Sequence, residues 1–135
     1  MTTLQSDIQL INAPAEKTFN YLSDFNHFSN LMPPQITNWK STTDSCSFTI
    51  QGMADIAMQT KEKHPYSKIV ISSGIQSKLA FDLIISLTEN DNSQTQSCLT
   101  FEASLNPMMN MMLSKPLTNF INILNQQIKL VCERL

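Results

Sequence analysis

The sequence predicts an α+β protein in which one antiparallel sheet is covered by a long C-terminal helix. Three observations carry this. From Gln35 to Leu105 the apolar residues recur every second position, the period of a strand with one buried face. From Leu113 to Leu135 they recur every three to four positions, the stripe of a helix lying on a core. Between a short extended N-terminal segment and the sheet, the helix-start signals Pro14 and Asp24 each precede recurring apolar residues. A sheet with one apolar face must be covered, and the C-terminal stripe is the cover available.

Taken in order, Thr3 to Ile11 reads as one extended strand, with Leu4, Ile8 and Leu10 on one face and Asp7 and Gln9 on the other. Pro14 suits the first turn of a helix, where its missing N–H has no partner to lose, and Glu16 favours the same positive end. Phe19 and Leu22 continue one apolar face to Ser23. Asp24 caps a second short helix through Phe25, Phe28 and Leu31, which "MPP" ends because a residue before proline is pushed out of the helical region. Alternation then places Cys46, Phe48 and Ile50 inward, followed by Ala54, Ile56 and Met58. Ile69 and Ile71 come next, then Leu79, Phe81, Leu83, Ile85 and Leu87, and last Leu99, Phe101, Ala103 and Leu105. Turn residues separate the runs at Thr42–Ser45, His64, Gly74 and Asn90–Ser93. About six strands result. Asn106 is a good cap and Pro107 a good first residue for the last helix. Its stripe comprises Leu113, Leu117, Phe120, Ile121, Leu124, Ile128, Val131 and Leu135, with Asn119, Asn122, Asn125 and Gln126 off it. Pro116 removes the donor for the carbonyl of Met112, which predicts a kink or a restart, with Ser114 as a second cap.

Composition sets the outer bounds. The chain has 135 residues, 41% hydrophobic and 15% charged, with a formal net charge of -2, which fits one globular domain over 1–135. Nine basic residues form no cluster that would track a phosphate backbone, and Lys61–Lys68 is interrupted by Glu62 and Pro65, so no nucleic-acid partner is expected. The N-terminus lacks the basic start and apolar block of a signal peptide. No apolar run approaches the roughly 20 residues of a membrane span. Cys46, Cys98 and Cys132 are far apart and odd in number, which reads as free thiols in a reducing cytoplasm.

The segment "INAPAEKTFNYLSDFNHFSNLMP", Ile11 to Pro33, resembles the opening of the SRPBCC superfamily, whose START-like or helix-grip fold is shared with the birch-pollen allergens. A strand runs into Ala-Pro, a Phe-containing helix follows, then Leu-x-Asp and a second helix ending near Leu-x-Pro. The order of elements extends the likeness over nearly the whole chain. The resemblance implies a curved antiparallel sheet of about six to seven strands wrapped around a long C-terminal helix, with two short helices after the first strand. Members commonly enclose an apolar cavity, and include lipid and sterol carriers, polyketide cyclases, hormone receptors and cochaperone-like modules. Fold alone therefore does not choose a function.

The chemical inventory narrows the choice. No Gly-x-Ser-x-Gly elbow is present, and Gly52 and Gly74 are the chain's two glycines, too few for a phosphate-cradling loop. His27 and His64 have no metal-ligand spacing to another His, Cys or carboxylate, and no cofactor is expected. Acid–base chemistry needs a titratable group facing the pocket, yet strand parity turns Asp55, Asp82 and Glu102 outward. Cyclases of this fold would be expected to carry polar or ionisable groups there. Cys46 reads as a small buried hydrophobe and Trp39 as a packing residue. The expected activity is noncatalytic binding of a small hydrophobic or amphipathic ligand, lipid-like or polyketide-like. It would be lined by Phe48, Ile50, Ile56, Met58, Phe81, Leu83, Phe101, Met109, Met112, Leu113 and Phe120. A cavity-poor protein-interaction module and a cyclase- or dehydratase-type enzyme are the alternatives.

"NPMMNMMLSKPL" holds four of the eight methionines. Thioethers are soft ligands suited to Cu(I), but one helix cannot aim all four at one ion, and no metal site is expected. At about 100° per residue, Met109 falls in the stripe of Leu113 and Phe120 and Met112 at its edge. This pair is expected inside and Met108 and Met111 outside.

Overall fold

The computed structural model describes residues 1–52, 54–74, 77 and 79–135, residue 54 by its backbone alone; the inward facing expected of Ala54 lies outside the described residues. The architecture is the helix-grip one: an open, curved antiparallel sheet holding a long C-terminal helix. The elements run β1 (Thr2–Gln5), β2 (Gln9–Ile11), α1 (Ala15–Leu22), a 3-10 helix (Phe25–Asn30), β3 (Ile36–Ser41), β4 (Ser45–Ile50), β5 (Ala54–His64), β6 (Lys68–Ser73), β7 (Phe81–Glu89), β8 (Thr95–Ala103) and α2 (Pro107–Cys132). Across the sheet the order is β1-β8-β7-β6-β5-β4-β3, and β2 also pairs with β8. Strands β3 to β8 are thus a meander of neighbours, and the N-terminal strands close its far side.

Among the described residues the strands number eight, one more than the upper expectation. The extra strand comes from a break in the N-terminal segment. Leu4 pairs opposite Phe101 and Leu10 opposite Gln96, and between the two strands Ser6 turns inward. Its hydroxyl donates to the carbonyl of Asp7 at 2.9 Å and accepts from Leu99 N at 2.9 Å. The break resets the alternation, so Ile8 and Leu10 face solvent, 63% and 43% exposed, while Ile11 is fully buried.

The turns follow their chemistry. Asn90 Oδ1 accepts from the backbone N–H of Asn92 and Gln94, the Asx pattern that tightens a hairpin. Gly52 adopts φ 81° between β4 and β5, a left-handed conformation that favours glycine. In β3 the register shifts between Thr37 and Lys40, where Asn38 has φ 57°. Asp24 caps the 3-10 helix by accepting from Asn26 N at 2.9 Å. Pro14 sits one position earlier than expected, as the cap residue of α1.

Helix α2 begins where the sequence put it. Asn106 Oδ1 accepts from Met109 N at 2.8 Å, and Pro107 is the first helical residue. Replacing Asn106 with alanine is expected to remove about 1 kcal/mol of stability, read as a lower urea midpoint with unchanged slope. The helix is one run through Pro116, not two. Ser114 does not cap a restart; its hydroxyl is within 2.6 Å of Asn110 Oδ1.

The core lies between the sheet's concave face and α2. Phe48, Ile69, Ile71, Leu83, Ile85, Leu99 and Phe101 meet Leu117, Ile121, Leu124 and Ile128 there, and Phe25, Phe28 and Leu31 close one end. Asn125, expected off the stripe, is fully buried. The buried face of α2 centres near Ile128 and turns toward Ile121, Asn125 and Cys132, bringing that amide against the break between β1 and β2.

Candidate ligand-binding site

Eight of the eleven expected lining residues meet at one place. Phe48 and Ile50 come from β4, Ile56 and Met58 from β5, Phe81 and Leu83 from β7, Phe101 from β8 and Phe120 from α2. With Leu79, Leu117 and Ile121 they surround a cavity of about 20 Å³ with no polar surface. Strand parity explains the convergence, since Phe48, Ile50, Phe81 and Leu83 are all inward positions of β4 and β7. Leu117 and Ile121 flank Phe120 on the stripe and were readable as core, though not as lining.

The other three expected residues lie elsewhere. Met109 and Leu113 are partly buried against the core without lining the cavity. Met112, expected inside, is 65% exposed, and with Met108 at 70% and Met111 at 83% it forms an outward face. The reason is phase. Referred to Phe120 and Leu113, Met112 sits at the stripe's edge. Referred to the true centre of the buried face, it lies about 160° around the helix.

Four of the eleven lining residues are phenylalanines. Trp39 stacks on Phe48 with centroids 5.5 Å apart and planes 20° apart, and Phe48 faces Phe120 at 6.3 Å and 14°. Phe81 and Phe101 stack diagonally across β7 and β8 at 4.9 Å. Trp39 Nε1 donates to Ser41 Oγ at 3.2 Å, at the sheet margin.

The titratable groups lie outside this space. Asp55 accepts from Thr49 Oγ1 at 2.8 Å on the outer face, and Asp82 pairs with Lys61 at 3.8 Å. His27 stacks on Tyr21 and its Nδ1 lies 2.7 Å from the Tyr21 carbonyl oxygen. Two larger clefts, about 360 and 340 Å³, open on the wet face of β3–β5 around Lys40, Ser47 and Ala57; they are broad and open, unlike the apolar seam. Among the described residues no three His, Cys, Asp or Glu side chains gather as a metal site.

Burial raises the Cys46 thiol from 9.0 to about 12 and the Cys132 thiol from 9.0 to about 11. Both folded values lie above that of an unfolded thiol, near 8.5. Their contribution to stability is therefore intact below about pH 8.5 and lost as pH climbs toward the folded values. Urea midpoints are expected to fall between pH 8 and pH 10.5, less steeply in Cys46→Ala. At pH 8 a thiol reagent should leave Cys46 and Cys132 unmodified until the chain unfolds.

No protein-family model and no curated protein sequence matches the chain. Solved structures do. TTHA0849 from Thermus thermophilus superposes with a TM-score of 0.76 at 11% identity, covering 97% of each chain. The KanY protein gives 0.78 at 9% identity, covering 98% of this chain and 97% of its own. The Aha1 dimer from Colwellia psychrerythraea gives 0.64 at 14% identity, covering 96% and 97%. These likenesses establish the fold. Among the described residues no helix is long and apolar enough to cross a membrane.

Proposed function

We propose that residues 1–135 form an SRPBCC-type, START-like module that holds a small hydrophobic or amphipathic molecule, lipid-like or polyketide-like, between sheet and α2 without transforming it. The observation that carries this reading is the lining itself. Eleven side chains from several strands and α2 converge, and every one is apolar. None of them could donate or accept a proton for cyclase or dehydratase chemistry. The three unpaired cysteines suit a reducing cytoplasm.

A space of about 20 Å³ holds roughly one water molecule, so a ligand must displace packing to enter. The first turns of α2 supply the means. Residues 107–116 include no buried side chain, despite four methionines and Leu113. Pro116 leaves the Met112 carbonyl without its helical donor. That segment packs on the core only through the partly buried Met109 and Leu113, so its loosening lets the adjoining turn with Leu117, Phe120 and Ile121 shift away from the sheet.

Native mass spectrometry after gentle purification, with a library of apolar molecules offered, tests the reading. A retained or acquired ligand mass is expected. A clean apo mass throughout would sink it and favour a protein-interaction module. The outward Met108, Met111 and Met112 support that second reading, because thioethers adapt to irregular partner surfaces. A specific partner recovered by cross-linking through this face would establish it.

A further inference from the structure

We propose that the ligand's buried part is a flat, weakly polar aromatic system seated between the rings of Phe48 and Phe120; this rests on the ligand-binding reading above. The two rings come from different elements, β4 and α2, yet their planes lie only 14° apart, with centroids at 6.3 Å. Trp39 stacks on Phe48 at 5.5 Å and 20°. Three near-parallel rings therefore link the sheet margin to the helix, and the more widely spaced pair is the one that lines the cavity.

Carbon surfaces touch at about 3.5–4.0 Å, so a ring held between two others needs roughly 7–8 Å between the outer pair. Centroids 6.3 Å apart fall short of that by roughly an ångström or more, and the cavity of about 20 Å³ must also widen sideways to admit a ring, so uptake moves the walls apart. Parallel walls contact both faces of a flat molecule fully. They meet a puckered ring or a kinked chain at a few points only, and neither offers the offset stacking that aromatic pairs gain. Polarity narrows the class further. A hydroxyl or amide on the inserted ring would find no partner among the lining residues and would lose its hydration uncompensated. Polar substituents must point out of the seam.

Naphthalene and decalin separate flatness from apolarity, since they share a skeleton and differ in saturation; dodecanoate represents an acyl chain. Trp39 is the chain's one tryptophan, so its single indole N–H resonance and the Leu83 and Ile121 methyl resonances report on the seam in NMR titrations. Naphthalene is expected to bind about ten-fold more tightly than decalin or dodecanoate, with ring-current shifts at Phe48 and Phe120. Phe120→Leu and Phe48→Leu should each remove most of that preference, while Phe28→Leu, equally buried but outside the lining, should retain it. If either variant fails to fold, the comparison on the unaltered chain decides alone. Equal affinity for decalin or dodecanoate would overturn the aromatic assignment and leave ligand binding standing. Saturable binding of none of the three would overturn both.

Discussion

Asn125→Leu is expected to lower the unfolding free energy by about 3–5 kcal/mol, a loss at the top of the range for single substitutions. The amide is fully buried and joins three parts of the chain. Its Nδ2 donates to the carbonyls of Asp7 at 2.9 Å and Ser97 at 3.0 Å and approaches Ser6 Oγ at 3.3 Å. Its Oδ1 accepts from Ser97 Oγ at 2.5 Å. Leucine matches the volume but can pair with none of these groups: the buried Ser97 hydroxyl loses its acceptor and the Ser97 and Asp7 carbonyls lose the amide donor, at about 1–3 kcal/mol for each group left unpaired. Asn125→Asp separates charge from shape. A carboxylate cannot donate to those acceptors, and burial would push its pKa up. Since the folded value then exceeds the unfolded one near 3.9, the variant binds a proton more tightly when folded. It should be least impaired at pH 4 and lose stability as pH rises toward 7. Denaturant titrations at the two pH values check this, and a pH-independent loss would show that the site is wet.

Leu83→Ala is the second large effect, expected to cost about 3–4 kcal/mol. Leu83, the third residue of β7, is 2% exposed and lines the cavity together with Phe120. Truncation removes three carbons from a wall that is apolar throughout, so the enlarged space stays dry. Benzene should then raise the variant's melting temperature in a concentration-dependent way, and by more than it raises that of the unaltered chain. A truncated leucine in a seam that simply collapses would show a smaller loss and no gain in response to benzene over the unaltered chain. The pair of measurements thus reports whether the aromatic walls hold their positions when a neighbour is removed.

How much was readable beforehand varies with the element. The sheet was nearly transparent. In β4, β7 and β8 a strict period of two leaves one way to bury the apolar face, so Phe48, Leu83 and Phe101 could be placed from the sequence. The helix was harder, because a stripe several residues wide has no sharp centre. A phase taken from Phe120 brought Met112 inside, and only contact with the sheet turns it out. Asn125 was opaque for a different reason. It stands among Asn119, Asn122 and Gln126 in the sequence, and nothing local distinguishes it. Its burial depends on Ser6, 119 residues away, and on Ser97, 28 away. The break between β1 and β2 was missed with it, since the apolar spacing of Leu4, Ile8 and Leu10 suits one continuous strand. The size of the cavity follows from packing that no periodicity encodes.

The two interrupted margins of the sheet have a shared consequence. An open sheet ends in strands whose outward N–H and C=O groups could template the addition of another chain. On one side β1 and β2 present only four and three residues, split where Ser6 turns inward. On the other, β3 carries its bulge and the left-handed Asn38 in the middle of six residues. Neither margin offers a straight ribbon long enough to recruit a foreign strand. The serine that gives Asn125 a partner also guards the protein against edge-to-edge aggregation, so Ser6 serves solubility as well as the core.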